Sequence, residues 1–199
     1  MNYTLLYIHG FASSGATGTA TNMRSALYPD GVQVIAPDVP VMPAEALPFL
    51  QQQVQTLQPD LIVGTSMGAM YAEQLRGHRR ILVNPSFFMA KLLTFDGMGR
   101  KPFRNPRQDG AKDFKVDKEM IAQFREVEKQ SFQGITSEDK VMVYGLFGDH
   151  DKRVNCQPQF LKHYGREHFQ LFDGEHFLND SVLKHTVLPL IRQLLNIEH

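Results

Sequence analysis

Four short apolar runs punctuate the first half of the chain, Tyr3 to Ile8, Val32 to Ala36, Asp60 to Val63 and Arg80 to Val83, separated by stretches with helical spacing. Nothing else in the sequence limits the fold as tightly. The runs show little polar alternation, the pattern of strands covered on both faces in a parallel sheet. Between them, Pro43 can open a helix, because its missing N–H costs nothing there; Leu47, Leu50, Val54 and Leu57 recur at helical spacing until Gln58-Pro59 ends it. Met67, Met70, Tyr71 and Leu75 repeat the pattern after the third run, with Gly77 as a stop. The alternation resumes with Val141 to Tyr144, a helix around Gln157 to Tyr164, and Phe169 to Phe172. A final helix carries Leu183, Val187, Leu190, Ile191, Leu194 and Leu195 on one face, and Pro189 should kink or break it. The reading is an α/β fold: a doubly wound, mostly parallel sheet of about six strands with helices on both faces and right-handed crossovers. Ligand chemistry is expected at the carboxyl ends of the strands.

The rhythm fails between Asn84-Pro85 and Lys140, where far more chain intervenes than a crossover helix needs. Residues 1–199 therefore read as one domain with a cap-like insertion over about 86–139 that could act as a lid. Gly97 to Gly110, rich in Gly, Pro and Arg, reads as loop, and Met120, Phe124, Val127 and Ser131 place one helix near the end of the insertion.

With 199 residues the chain can bury a sizeable core without a disulfide or metal staple. Its 21 Lys+Arg balance 21 Asp+Glu, so there is no global field for a polyanion, and neither nucleic acid nor membrane is an expected partner. The only cysteine, Cys156, cannot form an internal bridge and reads as packing, which fits a reducing compartment. Asn2, Tyr3 and Thr4 offer no basic start, and Leu5 to Ile8 is too short for a signal core or a span. A soluble, cytoplasmic protein is expected; the oligomeric state is left open.

The third run leads into Gly64-Thr65-Ser66-Met67-Gly68, a G-x-S-x-G sequence with a strand before it and an amphipathic helix after it. That is the context of a nucleophile elbow, where small flanking residues relieve crowding at a sharp turn and leave the serine hydroxyl exposed. The alternative is a tight structural turn with an idle serine. A serine hydroxyl needs a base to take its proton, and in this fold class the base comes late in the chain. His176, in Asp173-Gly174-Glu175-His176 after the last predicted strand, is the best placed of eight histidines. His78, His163, His168 and His185 read as surface residues, and His199 is terminal. An acid should follow the strand Val141 to Tyr144, and Gly148-Asp149-His150-Asp151-Lys152-Arg153-Val154 supplies two. Asp151 is preferred because the spacing of Gly148, Asp151 and Val154 resembles the G-x-x-D-x-x-V acid loop of many serine hydrolases of this architecture; Asp149 is the alternative. Two backbone N–H groups should stabilise an oxyanion, Met67 after the nucleophile and Phe11 in the loop Ile8-His9-Gly10-Phe11. Ser13, Ser14, Gly15 and Gly18 continue that loop as substrate contacts or as plain connection.

Taken in order, HGF, GTSMG, GDHD and GEH resemble the α/β-hydrolase superfamily, and the compact length is similar to its small YqiA/YcfP-like esterase branch. The resemblance spans nearly the whole chain. It implies a serine esterase or thioesterase working through an acyl-enzyme, with Ser66, Asp151 and His176 in the triad positions, no cofactor, and a small-molecule acyl ester or thioester as substrate. The sheet is expected to begin at the strand before HGF, and the insertion matches no cap motif.

Other readings stay beside it. A catalytically silent binding module and an acyltransferase using the same serine are the alternatives in function. Asp149-His150-Asp151 could suggest a metal, but H-E-x-x-H and a calcium-hand pattern are both missing, and no metal is expected. No P-loop or G-x-G-x-x-G follows a strand. Phe87 and Phe88, with Met89, Leu92, Leu93 and Phe95, could line an acyl pocket or form core beneath the insertion. From Arg100 to Lys118, seven basic residues against Asp109, Asp113 and Asp117 could receive an anionic handle or could be a solvated face.

Overall fold

The computed structural model describes residues 2–197, so His199 lies outside the described residues. In chain order the elements are β1 (Tyr3–Ile8), α1 (Gly18–Leu27), β2 (Val32–Ile35), α2 (Pro43–Leu57), β3 (Leu61–Thr65), α3 (Met67–Gln74) and β4 (Arg80–Val83). There follow α4 (Met89–Asp96), β5 (Gly99–Pro102), β6 (Asp113–Val116), α5 (Lys118–Glu128), α6 (Ser137–Met142), β7 (Val143–Gly148), α7 (Gln157–Tyr164), β8 (Phe169–Phe172), α8 (Asp180–Val182) and α9 (Leu188–Leu194). Six strands form one parallel sheet in the order β2-β1-β3-β4-β7-β8.

Because successive strand side chains point to opposite faces, each strand feeds two cores. Leu6, Ile8, Ile62, Leu82 and Phe147 join one cluster with buried residues of α2, α3, α4, α5 and α7. Leu5, Tyr7, Leu61, Val63, Ile81 and Val83 join the other, with α1 and the C-terminal helices. Both faces of the sheet are covered, which is why its strands read as unbroken apolar runs. From β1 the chain steps to β2 on one side while β3 lies on the other, so a crevice opens between the carboxyl ends of β1 and β3.

Two expectations are corrected. The strand read over Val141 to Tyr144 begins at Val143, because Thr136 opens α6 with a capping box: its hydroxyl accepts the Asp139 N–H while the Asp139 carboxylate accepts the Thr136 N–H. The stretch read as loop from Gly97 to Gly110 is half of a hairpin. Gly99–Pro102 pairs antiparallel with Asp113–Val116, a ribbon whose charged residues hide its strand character from a hydrophobicity pattern. The break expected at Pro189 falls where a π-helical turn over Leu183–Val187 passes into α9, with the proline at the start of α9. Two helices were not read as helices from the sequence, α1, which Thr17 caps by accepting the Ala20 N–H, and α4, whose Met89, Leu92 and Leu93 were weighed only as pocket or core. No helix among the described residues is long and apolar enough to cross a membrane.

Candidate active site

Ser66 sits between β3 and α3 with φ 55° and ψ −119°, a strained conformation for a residue with a side chain. Its flanks must be glycine for steric reasons. A Cβ on Gly64 would stand 2.4 Å from the Gly68 carbonyl oxygen, and one on Gly68 would stand 2.1 Å from the Ile8 carbonyl oxygen. The elbow is therefore pressed against the end of β1, and Gly10 passes over it: a Cβ there would lie 3.4 Å from the Ser66 Cβ.

Three chain segments converge on the Ser66 hydroxyl. The Oγ lies 2.9 Å from Nε2 of His176, which follows β8 and is 8% exposed. Nδ1 of the same ring lies 2.7 Å from Oδ2 of Asp151, which follows β7. The other carboxylate oxygen accepts the N–H of Arg153 at 2.8 Å and of Val154 at 2.9 Å, which explains why the acid loop closes at Val154. Burial pushes the Asp151 carboxyl up, but the hydrogen bond from His176 and those backbone donors outweigh it and hold the group below its usual range. An ionised carboxylate only accepts, so in the neutral imidazole the proton belongs on Nδ1, leaving Nε2 as the acceptor for the Ser66 O–H.

Ser86 adds a second hydroxyl. Its Oγ lies 3.0 Å from the Ser66 Oγ and its N–H donates to the Ser66 carbonyl at 3.1 Å. Since the Ser66 proton is committed to His176, the Ser86 hydroxyl is the donor of that pair. Asn84, on a positive φ of 44° just after β4, ties the two late loops together. Its amide donates to the carbonyls of Glu175 at 2.9 Å and His176 at 3.0 Å, and its Oδ1 accepts the Gly148 N–H at 2.7 Å. His9 does the same for the first loop: buried, it accepts the Val39 N–H at Nε2 and donates from Nδ1 to the Gly10 carbonyl. Phe11 is held edge-on by Phe114 and Phe124. Among the described residues, the N–H groups of Phe11 and Met67 have no protein acceptor.

A cavity of about 220 Å³ opens beside Ser66, lined by the apolar Phe11, Met89, Leu92 and Leu93 and by the hydroxyl-bearing Tyr7, Ser13, Thr17, Thr19 and Thr65. Phe87 and Phe88 do not line it, so the acyl-pocket alternative fails for them, and Phe87 takes the core alternative. Phe87 is buried against Phe132, and Phe88, 47% exposed, borders a separate groove with Phe132 and His163. The α4 geometry accounts for this, because it turns Met89, Leu92 and Leu93 inward instead. Asp149 is also set aside as the acid: it is exposed, and its carboxylate accepts the Gly174 N–H at 3.1 Å. With His150 and Asp173 it forms an exposed surface cluster outside the cavity. Neither Asn84, Ser86 nor a role for His9 was read from the sequence, although position just after a strand would have flagged the first two.

A family model described as "Uncharacterised protein family (UPF0227)" matches residues 4–171. Among solved structures, the chain is similar to Est1E from Butyrivibrio proteoclasticus, at 16% identity and TM-score 0.64, covering 98% of this chain and 87% of that one. It is similar to alpha/beta hydrolase domain-containing protein 10 from mouse, at 13% identity and TM-score 0.66, covering 97% and 89%. A thioesterase domain from the curacin biosynthetic pathway aligns at 18% identity and TM-score 0.56, covering 97% and 91%. The fold is that of the α/β-hydrolases.

Proposed function

The chain belongs to the UPF0227 family, and we propose that it is a serine hydrolase that cleaves a small carboxylic ester or thioester through an acyl-enzyme. The observation that carries this is the continuous hydrogen-bond chain from the Ser66 hydroxyl through His176 to Asp151, assembled from three loops at one edge of the sheet. The thioesterase domain among the similar structures supports the same reaction class.

In the proposed reaction, the Ser66 Oγ attacks the carbonyl carbon while Nε2 of His176 takes its proton, and Asp151 offsets the imidazolium charge. The free N–H groups of Phe11 and Met67 receive the oxyanion. Collapse breaks the bond to the alcohol or thiol, which leaves with the proton from Nε2, and the acyl group stays on Oγ. Water then attacks, deprotonated by His176, and the carboxylic acid departs as Ser66 regains its proton. The cavity is smaller than the 300–1,000 Å³ common for drug-sized ligands, which favours a short acyl group. Residues of α4 and of the β5–β6 hairpin line it, so the segment between β4 and β7 serves as the cap of the site.

Esters and thioesters graded by chain length, assayed with native protein and Ser66→Ala, test this. Turnover of short substrates that disappears in Ser66→Ala is expected. A folded native protein with no turnover of any substrate would favour a silent binding module, and faster transfer to an added alcohol than to water would mark an acyltransferase.

A further inference from the structure

Three of the seven basic residues from Arg100 to Lys118 have carboxylate partners: Arg100 pairs with Asp113, Arg107 with Asp109 and Lys115 with Asp117. Arg104 has none among the described residues, and of the seven it is the one that lines the cavity that holds Ser66. Apart from His176, the charged residues of that lining are Asp96, Arg104 and Arg153. Arg153 is matched by Asp96 at 2.5 Å, so the guanidinium of Arg104 is the uncompensated charge on the wall.

Its location is fixed at both ends. The Arg104 N–H donates to the Ala12 carbonyl at 2.8 Å, Ser13 donates to Asn105 at 2.8 Å, and Ser14 donates to the Pro106 carbonyl at 2.6 Å. Asp38 completes the attachment by accepting the N–H groups of Gly15 and Gln108. The hairpin tip is thus bound to the same loop that carries Phe11. At the far end of the side chain, the guanidinium lies over the Phe177 ring, 4.8 Å from its centroid, and that ring stands 5.3 Å from the imidazole of His176. Among the described residues no hydrogen bond or ion pair engages this guanidinium, so its N–H fork is free to grip a carboxylate or phosphate with two parallel hydrogen bonds. One aromatic ring separates this donor set from the proposed base.

We infer that the ester handled at Ser66 carries an anionic oxygen group, carboxylate or phosphate, received by Arg104, which makes Arg104 a specificity-determining residue. The inference rests on the hydrolase reading of the same cavity and narrows its substrate class.

The test measures binding, so that it does not depend on turnover. Ser66→Ala protein is titrated with 4-acetoxybenzoate, 4-acetoxyphenyl phosphate and the neutral 4-acetoxybenzamide, with and without Arg104→Gln. A hydrogen bond to a charged group is worth enough to predict at least a roughly tenfold tighter binding of one or both anions over the amide, lost in Arg104→Gln. The anion that gains more distinguishes carboxylate from phosphate. Equal binding of all three, or an advantage that survives Arg104→Gln, overturns the inference. Release of 4-hydroxybenzamide by native protein but not by Ser66→Ala reports separately on the hydrolase reading.

Discussion

The side-chain amide of Asn84 donates to the backbone carbonyl of His176 at 3.0 Å. A residue at the end of one strand thereby holds the loop after another, and its remaining bonds to Glu175 and Gly148 fasten the acid-bearing and imidazole-bearing loops to each other.

Truncation of Asn84 should therefore loosen both loops. Asn84→Ala leaves a buried N–H and two carbonyls without a partner, at a cost of about 2–4 kcal/mol in unfolding free energy. Urea denaturation should show a lower midpoint with an unchanged slope, and esterase turnover should fall although Asn84 touches no substrate. Unchanged stability would contradict this role.

Asp151 and Asp149 separate by activity. Asp151→Asn removes the acceptor that fixes the proton on Nδ1 of His176, and kcat should fall by about 10⁴-fold through the wrong tautomer. Asp149→Asn, on the exposed side of the loop, should stay within about threefold of native. The reverse pattern in steady-state kinetics would reassign the acid.

His9 makes stability depend on pH. Burial holds its pKa below the ordinary value, and Nε2 must stay bare to accept the Val39 N–H. Below about pH 6.5 the unfolded chain binds a proton that the native state refuses. Its contribution is complete above that pH and is lost as pH falls, with a slope of at most about 1.4 kcal/mol per pH unit. Unfolding free energies measured from pH 7 to pH 5 should decline more steeply for native protein than for His9→Gln.

Cys156 is 2% exposed, and burial pushes its thiol up to about 11. It stays protonated at neutral pH and should react with a disulfide reagent only after denaturation. Prompt titration of one thiol in the native protein would contradict its packed position.

Much of the scaffold was legible because burial on both faces of the sheet writes itself as apolar runs, and the elbow because Gly64 and Gly68 have no sterically allowed substitute. The convergence of Ser66, His176 and Asp151 followed from their positions after β3, β8 and β7. What escaped carried weaker signals. The β5–β6 ribbon is built from charged residues, α1 and α4 are short helices whose buried apolar residues are few, and the partners of Asn84, Ser86 and Arg104 lie far along the chain. Phe87 and Phe88 misled because composition cannot tell which side of a helix start faces the cavity.

The nucleophilicity of one hydroxyl carries the whole account, and an activity-based fluorophosphonate reads it directly. Peptide mapping of the labelled protein should find one adduct per chain, at Ser66, absent from Ser66→Ala and strongly diminished in His176→Ala. Stoichiometric labelling at another residue, or none on well-folded protein, would contradict it.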